Sequence, residues 1–580
     1  MKIEIHCRII FLVVAAAFSG SIFAASFETE NFSGNFDVTL TAGLGMRLKD
    51  PSCSRIGDPS FCASADTGGW SNSDNGNLNY KKDSLFTEYV KGNQELLLKF
   101  PDSWKFFGRF TWLYDFKADD TVRTPLSTAA KNEIVNPVRL YDLWISKEIS
   151  IGDNLARIRL GNQVISWGES LFLPGGINST NQVDIQRLSQ PGTPLKEVFL
   201  PAPMISVASG IGHGINIEAY YQFRWYGDRQ PPVGAYWSVA DIFQKGSQPI
   251  FLNPTNFNIG GLDPAAAAQT GQPQGFPING LNDIKPKNSG QDGASVRYQP
   301  TGTNVNLGFY YLNYHDKTPV LNYADYGASY QWSFLENRKL YGVSANFPLG
   351  DWAVGWELSY RPKDAVSLSG CYNPGGPLDA NTNAAPVQYC QAYIDQKRYQ
   401  MHLTGLLSLT PGDYGRSLDL LGADTATLLA EAVGISYPNL QNQYVRTAAD
   451  GTPVMQVPAA GYWTWTQNDP TLGQIAAPAG TKNSWGYNFD FSWTYDGKLI
   501  PGWQVTPELY YFQAVSGRTP NFTANFMTGA KSANFIVTFT QNPANWVFGV
   551  NYAKWWGGKT PFDQPYADRG FIGGYLSRNF

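Results

Sequence analysis

Nine charged residues of this chain lie within or beside otherwise apolar segments, where each would share one face with other polar groups. Charges of both signs that face a common interior create an electric field, and such a field orients a solute that passes through it. The alternative is that these charges pair with one another and only hydrate the interior. The candidate selectivity residues are Arg109, Arg157, Arg159, Glu169, Glu218, Arg224, Glu357, Arg361 and Asp490.

Enzymatic chemistry is not expected of this chain. A hydrolase requires a nucleophile with a base within reach. The chain has no Gly-x-Ser-x-Gly stretch, and His213, His315 and His402 lie far apart in the sequence. We therefore predict no catalytic residue, no metal and no cofactor. The formal net charge of −4 also provides no basic surface for nucleic acid.

Long amphipathic strands must position the candidate residues. From Phe36 to Lys49 the sequence reads FDVTLTAGLGMRLK, and apolar side chains occupy almost every second position. Successive side chains of a strand point to opposite faces, so this segment has one apolar and one polar face. The same alternation runs from Trp485 to Tyr495. Aromatic residues make up 14% of the chain and charged residues only 16%, against about 25% charged in a soluble domain.

The connections between these segments alternate between short turns and long loops. A short turn such as Pro348–Asp351 consists of turn-forming residues, and long loops cover 49–84, 227–292, 363–396 and 434–482. This alternation is typical of a transmembrane antiparallel β-barrel. We predict an all-β fold of about eighteen strands, with sixteen as the alternative count. Residues 417–433 are assigned as one of these strands, although Ala423–Gly434 has enough Ala and Leu for a helix.

A soluble β-sandwich or propeller is the alternative fold. Its apolar faces would point inward and would consist mainly of branched aliphatic residues. Here those faces carry many Trp and Tyr side chains, which favour the boundary between membrane and water. The membrane barrel therefore explains the composition better.

The first 24 residues are typical of a secretory signal peptide. Lys2 and Arg8 precede the apolar run Ile9–Phe18, and Ile22–Ala24 offers a cleavage site. We therefore predict one mature domain, residues 25–580, in the outer membrane of a Gram-negative bacterium.

Cys7 lies in the predicted signal peptide, and the other four cysteines form two local couples. Four cysteines allow three pairings, and the pairs Cys53–Cys62 and Cys371–Cys390 are favoured because each closes a short loop. Disulfides suit an oxidising compartment. Metal binding is the competing interpretation, but no histidine lies near either couple.

The segment 158–201 resembles a signature of a known family. It reads IRLGNQVISWGESLFLPGGINSTNQVDIQRLSQPGTPLKEVFLP, and YADRGF near the end of the chain also fits. The chain resembles the domain-of-unknown-function 1302 family of Gram-negative outer-membrane proteins. The resemblance implies an outer-membrane barrel associated with inner-membrane transporters, periplasmic lipid-binding carriers and lipid-like cargo. It implies no catalytic residues, and Arg578 in the final strand departs from the usual apolar pattern.

Residues 168–202 interrupt a connection that would otherwise need only a few residues. The segment carries several prolines and charges, among them Pro174, Pro191 and Glu197. Irregular backbone at membrane depth must be buried in protein or line water. We predict a lumenal insert, or plug, with one short helix at 181–189. A surface loop outside the barrel is the alternative.

Two predicted outer loops, 246–286 and 452–481, contain few charges. Their aromatic residues would form an apolar lid or a loading site for a hydrophobic ligand, or else a surface for a partner or for packing between the loops. The ligand candidates are Phe251, Phe257, Trp463 and Trp465.

Together these features predict an outer-membrane channel or transporter for a hydrophobic or amphipathic small molecule, lipid-like molecules included. The insert and the apolar outer loops would gate it. Expected partners are outer-membrane lipid, such cargo, a periplasmic carrier and an inner-membrane transporter. A general diffusion porin and an adhesin or structural barrel are the alternative functions.

Overall fold

A computed structural model of the chain defines the fold. It describes residues 25–56, 61, 75–152, 154–188, 190–253, 256–260, 276–324, 329–372, 389–447, 453–458 and 479–580. The predicted signal peptide, residues 1–24, lies outside this part. So do Cys62 and the side chains of Cys371 and Cys390. Cys53 is disulfide-bonded, and its pairing with Cys62 stays a prediction.

Eighteen antiparallel strands close into a barrel, because the last strand pairs with the first. Every other neighbouring pair is consecutive along the chain. The strands are β1 Ser33–Arg47, β2 Leu85–Lys99, β3 Trp104–Asp115, β4 Val138–Ile151, β5 Asn154–Gln163, β6 Ala202–Gly212, β7 Ile215–Gln222, β8 Gln291–Tyr298, β9 Asn306–Tyr314, β10 Arg338–Leu349, β11 Trp352–Tyr372, β12 Tyr389–Leu409, β13 Thr425–Ser436, β14 Asn483–Asp496, β15 Trp503–Ser516, β16 Ala530–Gln541, β17 Trp546–Gly557 and β18 Phe571–Asn579.

The alternation of the sequence sorts the side chains between the two faces of the barrel. Ile145 is 41% exposed on the outer face, whereas the next residue, Ser146, is 2% exposed inside. Closure leaves no sheet edge, so the strands satisfy their backbone hydrogen bonds without water. Other exposed apolar side chains of the outer face are Leu140, Leu160, Phe309, Leu403 and Val550. The predicted all-β fold, the count of about eighteen strands and the outer-membrane location are confirmed.

One predicted strand differs from the observed structure. The segment 417–433 begins as a helix, α4, which spans Pro411–Leu421, and β13 follows only from Thr425. Proline at the first turn has the dihedral angle that a helix start needs. Gly422 ends the helix in a left-handed conformation, φ +65°. The assignment of 417–433 as a strand was therefore wrong for residues 417–421, which are helical, and confirmed for residues 425–433.

The remaining helices and short strands lie in the connections. The other helices are α1 Asn75–Leu78, α2 Thr128–Ile134 and α3 Ile185–Leu188, with 3-10 turns at Cys53–Arg55, Leu195–Glu197 and Pro561–Asp563. The short strands are Ala25–Glu28, Gln182–Val183, Phe199–Leu200, Ile250–Asn253, Asn256–Gly260, Phe276–Gly280, Val320–Ala324, Ser329–Ser333, Gln443–Thr447 and Pro453–Pro458.

Candidate functional site in the barrel interior

The connection between β5 and β6 forms the insert. The two strands pair as far as Gln163 and Ala202, so a short turn would suffice to join them. Instead, the chain leaves the wall after Gln163 and turns inward at Gly168, whose φ is +86°. A Cβ atom at Gly168 would lie 2.3 Å from Glu357 Oε2, so only glycine fits this bend. The insert contains α3, within the predicted helical range 181–189.

Two carboxylates on the barrel wall accept hydrogen bonds from the backbone of the insert. Glu357, on β11, accepts from the Glu169 amide at 2.6 Å and from the Ile177 amide at 2.9 Å. Glu431, on β13, accepts from three consecutive amides, those of residues 171, 172 and 173, at 3.2, 2.9 and 2.9 Å. Both carboxylates are almost completely buried. Since insert amides face these charges, irregular backbone is tolerated inside the barrel.

Glu357 and Glu431, together with side chains of β12, form the first of two anchors that hold the insert. His402 lies 2.7 Å through Nδ1 from Glu431 Oε1, and its Nε2 lies 2.7 Å from Gln400 Nε2. The Gln400 amide is oriented by Arg398, which donates to Gln400 Oε1. Gln400 Nε2 also donates to the Pro174 carbonyl at 3.0 Å. Gln400 donates to His402 Nε2, which leaves Nδ1 to donate to Glu431 Oε1.

Arg361 ties a further part of the insert to β11. Its Nη2 atom donates to the Gly176 carbonyl at 3.0 Å and to Ser179 Oγ at 2.8 Å. Its Nε atom donates to the Tyr314 hydroxyl at 2.9 Å. Glu169 itself accepts from Asn346 Nδ2 at 3.1 Å, on β10.

The second half of the insert is anchored on β2 and β4. Glu197 pairs with Lys91 at 3.0 Å and with Arg187 of α3 at 3.0 Å. Asp184 pairs with Arg139 of β4. Tyr141, also on β4, donates to the Glu197 carbonyl at 3.0 Å.

The two anchors lie on opposite walls. In a ring of eighteen strands, β2 and β4 stand nine strands away from β11 and β13, and this is half the circumference. The insert therefore crosses the lumen from wall to wall. A barrel of this strand number leaves an aqueous channel unless its interior is filled.

Apolar side chains in the first half of the insert pack against the inner wall of the barrel. Ile165, Trp167 and Ile177 form one buried cluster with Tyr220 and Tyr310. The Trp167 indole also donates to Glu218 Oε2 at 2.8 Å. The lumen at this level is therefore partly apolar and partly charged.

The predicted selectivity residues occupy different surroundings. Arg109 pairs with Asp142 at 2.5 Å. Arg224 lies beyond the end of β7, with its guanidinium 5.1 Å from the centre of the Tyr226 ring. Asp490 forms a hydrogen bond with Glu508 on the neighbouring strand. Arg109, Arg224 and Asp490 do not contact the insert. Glu357 and Arg361 do, Glu218 does so through Trp167, and Glu169 belongs to the insert itself.

Arg157 contributes to a cavity at the end of the barrel where the short turns lie. The cavity has a volume of about 350 Å³ and opens to solvent. Its polar lining includes Glu218 and Asn216 of β7 and Arg297 of β8. Arg159 lies two residues from Arg157 on the same face, with its guanidinium 4.2 Å from the centre of the Trp144 ring.

Outer-loop residues fill the opposite mouth. The side chains of the predicted ligand residues, Phe251, Phe257, Trp463 and Trp465, lie outside the described residues. An adjacent described segment, 233–243, packs inside the mouth. Tyr236 stacks on Phe86 of β2, with ring centres 3.9 Å apart, and Trp237 is 4% exposed.

Glu431 is the main residue that the sequence prediction missed. It is a single charge in the Ala- and Leu-rich segment TATLLAEAVGIS. The segment was assigned as a strand, but its single charged residue was not among the candidate residues. A lone carboxylate in an apolar strand is the signal that would have identified it.

Within the described ranges, no helix is long and apolar enough to cross a membrane. Among the same residues, no group of three or more His, Cys, Asp or Glu side chains is placed to hold a metal ion.

The chain was compared with known proteins. The family model described as "Protein of unknown function (DUF1302)" matches residues 7–580, which include the barrel and the insert. No curated protein matches the chain. Among solved structures, outer membrane protein OpdK from Pseudomonas aeruginosa is similar at 10% identity and a TM-score of 0.39, over 94% of this chain and 98% of that one. OccAB3 from Acinetobacter baumannii is similar at 8% identity and a TM-score of 0.41, over 94% and 99%.

Proposed function

The chain belongs to the DUF1302 family of proteins of unknown function, and we propose that it is an outer-membrane channel for a hydrophobic or amphipathic small molecule, lipid-like molecules included. The insert narrows the lumen and selects the solute. The outer loops load it, and a periplasmic carrier docks on the short turns and connects the channel to an inner-membrane transporter.

One observation carries this proposal: a single segment crosses the lumen and is anchored on both walls. The anchors are hydrogen bonds and ion pairs to side chains, so they can break and form again without unfolding the barrel. The buried apolar cluster around Trp167 and Ile177 packs the insert against the inner wall and narrows the lumen there.

Planar-bilayer recording tests the gating role of the insert. Residues 168–198 would be replaced by a short Asn-Gly turn, which the pairing of Gln163 with Ala202 permits. The matched control replaces α4, residues 411–421, whose flanking residues Leu409 and Ala426 are also paired. We expect low conductance for the natural protein and the control, and a large steady conductance for the insert variant.

The same recordings decide between this proposal and a general diffusion porin. A large steady conductance in the natural protein, unchanged by replacement of the insert, would show that the insert does not gate. The cargo is tested separately by mass spectrometry of the gently extracted protein. A co-purifying lipid or other amphiphile, lost from the insert variant, would support the proposed cargo.

A further inference from the structure

The cavity at the short-turn end of the lumen has the composition of a ligand site. Its volume of about 350 Å³ falls within the range of about 300–1,000 Å³ that small-molecule pockets occupy. Residues of five neighbouring strands, β4 to β8, line it. Small residues such as Ala208, Gly210 and Ser295 keep the space open.

Its lining carries two arginines, Arg157 and Arg297, and two carboxylates, Glu148 and Glu218. Among the described residues, neither Arg157 nor Arg297 has an ion pair or a side-chain hydrogen bond. Glu148, one of the two lining carboxylates, is already paired with Lys105 at 2.8 Å.

Glu218 is the other carboxylate, and it accepts the Trp167 indole N–H at 2.8 Å. No ion pair joins Glu218 to either arginine within the part of the chain that the structure describes. Both arginines are exposed to solvent, so their guanidinium groups remain available to a ligand.

We propose that Arg157 and Arg297 form an anion-binding subsite that takes the carboxylate or phosphate group of an amphipathic solute. A guanidinium group presents its donors in a planar fork that matches these oxyanions. Leu155, on the same face of β5, is 65% exposed toward the cavity and provides an apolar contact for the remainder of the solute. This subsite rests on the proposed function, since it names the chemical class of the solute.

Equilibrium dialysis of radiolabelled hexanoate against the barrel in nanodiscs tests the subsite. The test variant is Arg157→Gln with Arg297→Gln. The control is Arg416→Gln, an exposed arginine of α4 at the same end of the barrel. We expect the Kd for hexanoate to rise at least tenfold in the double variant and to stay unchanged in the control. Binding of hexanol, which lacks the charge, is expected to be weak in all three proteins.

Inorganic phosphate as a competitor distinguishes two sources of the anion. Displacement of hexanoate by phosphate supports the subsite and assigns it to free oxyanions as well as amphiphiles. Hexanoate binding that phosphate does not displace supports it as a site for the head group of an amphiphile. Equal hexanoate binding in the double variant, or hexanol binding as tight as that of hexanoate, overturns the inference. Because dialysis needs no flux, the subsite is tested independently of gating by the insert.

Discussion

The anchor of the insert on Glu431 predicts a measurable local opening. In Glu431→Gln, one oxygen still accepts from the amides of residues 172 and 173, but an NH₂ group replaces the oxygen that faces the Leu171 amide and His402. Two donors then face this NH₂ group. His402 cannot resolve the conflict by moving its proton to Nε2, because Gln400 donates to that atom.

The structure sets the size of the effect. A hydrogen bond to a charged group contributes about 1.5–3 kcal/mol and a neutral one about 0.5–1.5 kcal/mol. The substitution removes one charged bond from an insert amide and makes two others neutral, so it costs at least about 3 kcal/mol. This corresponds to an increase of at least about a hundredfold in the population in which the first half of the insert is detached.

Hydrogen exchange measured by mass spectrometry reports this population directly. We expect the amides of residues 171–173 to exchange at least about a hundredfold faster in Glu431→Gln, while the amides of the barrel strands keep their rates. Glu508→Gln is the matched control, because it makes the same change on the inner wall at a site that does not touch the insert. Unchanged exchange at 171–173 in a correctly folded Glu431→Gln protein would refute the anchoring role.

Two further predictions concern the outer mouth and the contact between the insert and Asp228, which follows β7. Arg47 is fully buried and donates to the Asn77 carbonyl at 2.6 Å and to Asn77 Oδ1 at 2.7 Å, so Arg47→Met is expected to lose about 3 kcal/mol and to lower the urea midpoint, whereas exposed Arg416→Met keeps it. Burial raises the pKa of the Asp228 carboxyl to about 6, above about 3.9 in the unfolded chain. The folded state therefore binds the proton more tightly, and stability falls as the pH rises from about 4 to about 6. Asp228→Asn keeps the acceptor for the Val183 amide, at 2.8 Å in the natural protein, and is expected to abolish this slope in the melting temperature; an unchanged slope would contradict the assignment.

Much of the barrel followed from local patterns. A strand places side chains on opposite faces with a period of two, and turn residues mark its ends, so about eighteen strands and their two faces were predictable without tertiary information. The limits of the insert were predictable because prolines and charges cannot face lipid. The error at Pro411–Leu421 arose where a helix and a strand follow each other directly, with only Gly422 and a few residues between them.

By itself, the sequence determined the closed amphipathic barrel and the place where the chain must leave its wall, since both depend on neighbours within a few residues. Which wall residues hold the insert was decided only by tertiary structure. Glu431 is 260 residues from Leu171, and Glu357 is 188 residues from Glu169. Barrel closure brings these distant segments together across the lumen. No local pattern encodes that meeting, because it depends on the diameter and register that all eighteen strands set jointly.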